Sequence, residues 1–151
     1  MTPIVMPSIP PLYRQETPYS CVPACLRMVL ASLGHEVAEV TLRTLCDCTV
    51  FGTEALKAVD AMRQLGFTRT TKQTCTMEEL SQQLQGGHWP IVVVNMLPIT
   101  GQRNAHAVVV VEVGSAQLTV NDPLDGERVL PQTTFLMAWA MMHNLTLLIQ
   151  R

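Results

Sequence analysis

Four polar residues of this sequence stand in an order that suits thiol chemistry. Cys21 lies where an irregular segment enters an apolar-periodic run. The unpaired amides and the macrodipole at a helix start favour a thiolate over a thiol. A thiolate nucleophile needs an imidazole to stabilise it and to pass a proton to a departing amine, and that imidazole needs an oriented acceptor on its other nitrogen. His106 heads a valine-rich run, and Asp122, followed by Pro123, closes the next. Gln15, six residues ahead of Cys21 on the segment leading into its helix, carries a neutral amide suited to an oxyanion. Together these groups would open an acyl bond with no metal and no organic cofactor, because sulfur supplies the nucleophile.

The elements that must position them follow from periodicity. Cys21, Ala24, Cys25, Met28, Val29 and Ser32 recur at three- and four-residue steps, which predicts a helix over 21–33 with Ser20 and Pro23 as cap and first turn and Gly34 as stop. A short helix is predicted over 37–45. A third covers 53–65, with Ala55, Leu56, Val59, Met62 and Leu65 on one stripe and Gly66 as terminator. Thr76 and Glu79 form a capping box for a fourth, which ends at Gly86-Gly87. The period then changes to β-branched runs over 91–95, 106–113 and 117–121, bounded by Gly114-Ser115 and by the turn residues Pro123 to Gly126. A helix over 133–139 and a last strand over 145–150 complete the reading.

Helices come first, and strands follow with loops too short for crossover helices, so the expected class is α+β with an antiparallel sheet. If the runs from His106 and to Asp122 form a hairpin around Gly114-Ser115, those two residues return side by side. Residues 1–14 read as a proline-rich extended arm, because Pro3, Pro7, Pro10 and Pro11 remove amide donors and favour extended geometry before them. The chain of 151 residues is read as one domain, 1–151.

Composition narrows the partners. A formal net charge of −2 with no basic run gives no footprint for nucleic acid or an anionic membrane surface. The longest apolar stretches fall far short of the ~20 residues that cross a bilayer. The first 14 residues lack a basic head and are broken by prolines, unlike an export signal, so a cytoplasmic location is expected. Five cysteines, an odd number, then suggest free thiols in a reducing compartment.

The segments QETPYSCVPACLRMVL, HAVVVVEV and VNDPLDG resemble the bacteriocin-processing, double-glycine peptidase family, a papain-like cysteine peptidase group. The likeness spans nearly the whole chain and includes the late Phe135 and Trp139. It implies a papain-like fold, N-terminal helices packed on an antiparallel sheet, with Cys21 as nucleophile, His106 as its imidazole, Asp122 as orienting carboxylate and Gln15 as oxyanion donor. The expected substrate is a peptide or protein cut after small residues such as Gly-Gly. The sequence departs from the family pattern at Val22, where glycine is typical, and at Ser20, where aspartate is common. The transporter portion fused to many members is also absent, so a stand-alone domain is expected. A silent domain that binds a peptide or leader sequence, and a thiol-dependent acyltransferase, are the alternative readings.

Other features have plainer readings. Cys25, one helical turn beyond Cys21, is expected in the core. Cys46, Cys48 and Cys75 with His35, His88 or His143 lack zinc-knuckle spacing, so no metal site is expected. The segment MEELSQQLQGG partly resembles the leaders that such peptidases cut, yet it also reads as a capped helix with a glycine stop, which is the reading preferred here.

Overall fold

The computed structural model describes residues 8–151. Helix α1 (Cys21–Ser32) is apolar on nearly every side, and nine of its twelve residues are buried, as in a helix enclosed by the rest of the fold. Helix α2 (Glu39–Leu45) leans on it, and α3 (Ala55–Gln64) leans on α2. Strand β1 (Thr71–Thr74) and helix α4 (Met77–Gln85) follow, then β2 (Ile91–Asn95), a one-turn helix α5 (Leu97–Thr100) and the long β3 (Ala105–Val113). The chain continues through β4 (Gln117–Asp122), β5 (Gly126–Pro131), α6 (Gln132–Ala140) and β6 (Leu145–Leu148).

The six strands form one antiparallel sheet in the order β1-β6-β2-β3-β4-β5. Its central strands are buried on both faces, which is why they read as unbroken apolar runs rather than as alternation. Ile91, Ala107, Val109 and Leu147 face α1 and the helices beside it. Val92, Val94, Val108 and Val110 face Leu80 of α4 and Phe135 and Trp139 of α6. The α+β, papain-like expectation therefore holds, with the addition that two later helices cover the second face.

Several local expectations need correction. Ser20 precedes α1 but its hydroxyl makes no cap bond to the helix; it turns back to the Thr17 backbone and to Glu39. Leu56 is exposed, and the buried stripe of α3 runs instead through Ala58, Val59, Ala61 and Met62. Helix α2 starts at Glu39 rather than 37, and β6 ends at Leu148. Residues 1–7 of the expected proline-rich arm lie outside the described residues. Residues 8–14 have no regular structure, and Asn121 Nδ2 donates to the Pro10 carbonyl at 3.1 Å, which ties this segment to β4.

Candidate active site

Cys21 is the first residue of α1. The Ser20 carbonyl accepts the Ala24 N–H at 3.1 Å, which closes the first turn, while the amides of Cys21 and Val22 have no partner within the helix and Pro23 has none to offer. A half-buried sulfur thus sits among outward-facing backbone donors. Its charged form is favoured by the neighbouring His106 imidazole and by the backbones of Ala107 and Val22.

His106 is the second residue of β3. The β3–β4 register pairs Val109 with Asn121, so one further step sets Asp122 against Val108. His106 and Asp122 are therefore diagonal neighbours across the ladder rather than directly opposite, a distance that long side chains bridge. They do so closely: His106 Nε2 lies 2.6 Å from Asp122 Oδ1. With Nε2 engaged by the carboxylate, Nδ1 is left for the sulfur.

The electrostatics of the three groups are coupled. Burial is the largest influence on each and opposes its charged form. The hydrogen bonds and mutual attraction within the row outweigh it. They hold the Cys21 thiol below its ordinary value, push the His106 imidazole up to about 9, and keep Asp122 below the usual carboxylate range. Leu124 N–H at 2.8 Å also donates to Asp122 Oδ1. Cys25 shows the opposite case: fully buried without a cation, its thiol is pushed well up by burial first and by the charges of Cys21 and Asp122 second. It belongs to the core.

Gln15 reaches the same place from the other side. Its backbone N–H donates to the Pro123 carbonyl at 2.8 Å, which ties it to the turn after Asp122, and its Nε2 donates to the Thr17 carbonyl at 2.8 Å. Gln15, Cys21 and His106 together line a cavity of about 470 Å³, whose walls include Tyr19, Phe51, Leu124 and Leu145. Among the described residues no three His, Cys, Asp or Glu side chains converge as a metal site, and Cys46, Cys48 and Cys75 stay apart as free thiols.

With that geometry in view, the comparisons are specific. The Peptidase C39 family profile matches residues 10–150. The chain belongs to the Peptidase C39 family. A C39 domain of this kind is a cysteine peptidase domain, and its solved relatives are similar along almost their full length. The peptidase domain of Streptococcus ComA, a bifunctional ABC transporter involved in a quorum-sensing pathway, superposes with a TM-score of 0.78 at 26 % identity, covering 95 % of this chain and 100 % of that one. A C39-like peptidase from Bacillus anthracis shares the fold at TM-score 0.76 and 16 % identity, over 93 % and 94 % of the two chains. So does a double glycine motif protease from an AMS/PCAT transporter, solved with a leader peptide, at TM-score 0.73 and 24 % identity over 91 % and 89 %. No curated protein matches. No helix among the described residues of this C39 domain is long and apolar enough to cross a membrane.

One residue of the site escaped the sequence reading. Arg128 of β5 donates through Nε to Asp122 Oδ2 at 3.1 Å and pairs through its second nitrogen with Asp125. The β4–β5 register sets Asp122 against Gly126, so Arg128 is again a diagonal neighbour, and His106, Asp122 and Arg128 form one row across three strands. The signal was the Asp125-Gly126 turn, which implies a returning strand.

Proposed function

We propose that this C39 domain hydrolyses a peptide bond through Cys21, His106 and Asp122, with Gln15 as oxyanion donor. The observation that carries the reading is the 2.6 Å contact between the His106 imidazole and the buried Asp122 carboxylate, with Cys21 and His106 lining the same cavity. The thiolate attacks the carbonyl carbon, and the negative charge that develops on oxygen is taken by the Cys21 N–H and the Gln15 amide. The His106 imidazolium protonates the leaving nitrogen as the C–N bond breaks, giving an acyl-enzyme and a free amine. The neutral imidazole then takes a proton from water, whose oxygen attacks the thioester, releasing the carboxylic acid and restoring the thiolate. Every role but that of the attacking water is filled by this chain's own side-chain and backbone groups.

The relatives support a substrate class. One is described as a double glycine motif protease and was solved with a leader peptide, which supports a peptide cut after small residues such as Gly-Gly. A mixed peptide library incubated with the protein and read by mass spectrometry tests this. New fragments ending in small residues, absent with Cys21→Ala, are expected. Retention of uncut peptide, or a mass gain on an amine acceptor, would replace hydrolysis by binding or acyl transfer.

A further inference from the structure

A second polar network lies immediately behind the nucleophile, and it is centred on Glu39, the first residue of α2, whose side chain is fully buried. Its Oε1 accepts the backbone N–H of Glu16 at 2.9 Å and faces the Ser20 hydroxyl at 3.2 Å. Arg43, one turn on, brings Nε to 3.0 Å from Oε2, off the line of a hydrogen bond, and its Nη2 lies 3.5 Å from Glu16 Oε1. The two residues that this carboxylate meets, one through its backbone and one through its hydroxyl, bracket the segment between them. Glu16 adjoins Gln15, and Ser20 adjoins Cys21. Within the bracket, Ser20 Oγ accepts the Thr17 N–H at 3.1 Å, and the Thr17 carbonyl accepts Gln15 Nε2 at 2.8 Å.

Taking a carboxylate out of water is costly unless its bonds are well made, so a buried Glu retained at this point needs a task that an apolar residue cannot do. A surface role is excluded, because the side chain reaches no solvent. Packing alone is a weak account, because Leu42 and Cys46 of the same helix region already fill the adjoining core. What the carboxylate does is pin both ends of a six-residue loop, 15–20, that has no regular structure of its own except a turn and bends.

We propose that Glu39 is a positioning residue for the oxyanion donor: through Glu16, Ser20 and Thr17 it fixes where the Gln15 amide points relative to Cys21. This rests on the peptidase reading above. Cys21 and His106 stand on α1 and β3, and neither side chain is bonded to Glu39. Loss of Glu39 therefore leaves the sulfur reactive and disturbs only the step in which a carbonyl oxygen becomes charged. Misplacing a catalytic group by about 1 Å can cost about a hundredfold in rate.

The test compares two reactions of the full chain. Glu39→Leu keeps volume and removes both bonds; Glu39→Gln keeps an acceptor and serves as the conservative rescue. Cleavage of the best peptide from the library requires the oxyanion, whereas alkylation of Cys21 by iodoacetamide does not. Expected results are a kcat lowered about ten- to a hundredfold in Glu39→Leu with KM within about twofold, partial recovery in Glu39→Gln, and alkylation rates within about twofold of wild type. In a Gln15→Ala background, Glu39→Leu should cost less than about twofold more, because the group it positions is already gone. Unchanged kcat, a parallel fall in alkylation, or full additivity with Gln15→Ala would each overturn the proposal. Should Glu39→Leu not fold, Ser20→Ala, which deletes a single hydroxyl, carries the same comparison. The two readings fail differently: a chain that cleaves no peptide, or cleaves with Cys21→Ala, refutes the peptidase reading, whereas an inactive Cys21→Ala beside a fully active Glu39→Leu refutes only the role of Glu39.

Discussion

His106 Nε2 and Asp122 Oδ1 lie 2.6 Å apart, with both side chains almost wholly out of water. A carboxylate there can only accept, so the proton sits on Nε2 and the tautomer is set. The same contact is a leading reason that the imidazole is pushed up to about 9. Asp122→Asn removes the charge while keeping the shape. The His106 value should fall towards the ordinary range near 6.5. With a value of about 7, roughly a tenth of the imidazole is protonated at pH 8, so cleavage at that pH should drop about tenfold or more. An NMR titration of His106 beside the cleavage rate checks both halves; an unmoved titration would show that the carboxylate is not what holds the proton.

Cleavage and alkylation should part company at high pH. Alkylation needs only thiolate, and because the Cys21 thiol is held below its ordinary value, its rate should level off at a lower pH than that of a free thiol, which titrates near 8.5. Cleavage needs thiolate and imidazolium together. As pH rises through about 9 the imidazolium is lost, so cleavage should fall while alkylation stays level. On the acid side both should fall together as the sulfur takes up a proton. Stopped-flow alkylation and peptide cleavage across pH 5 to 10 give the comparison. A cleavage rate that climbs steadily past pH 9 would count against an acid role for His106.

Much of this arrangement was legible because the signals were local. The three-four spacing from Cys21, the Thr76–Glu79 box and the β-branched runs each report their own element, and the box is present with both bonds at 3.1 Å. The hairpin between Gly114 and Ser115 placed His106 near Asp122, although the register makes them diagonal. The failures share a cause, which is that the stabilising partner is distant in sequence. Strand β1, TKQT, shows one half-buried and three exposed residues at the sheet edge and has no apolar pattern; it exists because β6 offers a partner ladder. Strand β5 alternates weakly, and without it Arg128 had no reason to approach Asp122. Nothing in the sequence singled out Glu39, whose partners Glu16 and Ser20 lie on a loop about twenty residues earlier. Serine at position 20 read as a cap because it stands just before the apolar-periodic run, but its hydroxyl bonds to Thr17 and Glu39 instead.

Arg128 should matter to Asp122 without touching the substrate. Its Nε bond to Oδ2 satisfies the side of the carboxylate that His106 does not use. Arg128→Met keeps most of the stem and removes the donor, leaving a buried oxygen short of a partner. The expected cost is about 1 to 3 kcal/mol of stability, read as a lower denaturation midpoint at unchanged slope. Because Leu124 N–H and His106 still hold Oδ1, kcat should fall less than in Asp122→Asn. A larger loss of kcat than that variant shows would mean that Arg128 acts on the reaction by some other route.

The Gly86-Gly87 pair resembles a cleavage signal in sequence, but the fold gives it other work. Gly86 ends α4, and Gly87 follows at φ 79°, a left-handed geometry that side chains rarely adopt. The helix it closes is capped at the far end and anchored by Leu80, which is fully buried. For Gly87 to reach Cys21, α4 would have to unwind, giving up a cap worth about 1 kcal/mol together with about 1.5 to 3 kcal/mol of Leu burial. The cut would also separate Cys21 from His106, destroying the site that made it. Intact mass should therefore be the same after days of incubation for the wild type and for Cys21→Ala. Gly87→Ala, which forces a side chain into the left-handed region, should cost about 1 kcal/mol of stability and still yield no fragment. Two pieces split after Gly87, formed by the wild type and not by Cys21→Ala, would show instead that the helix opens often enough for the domain to cut itself.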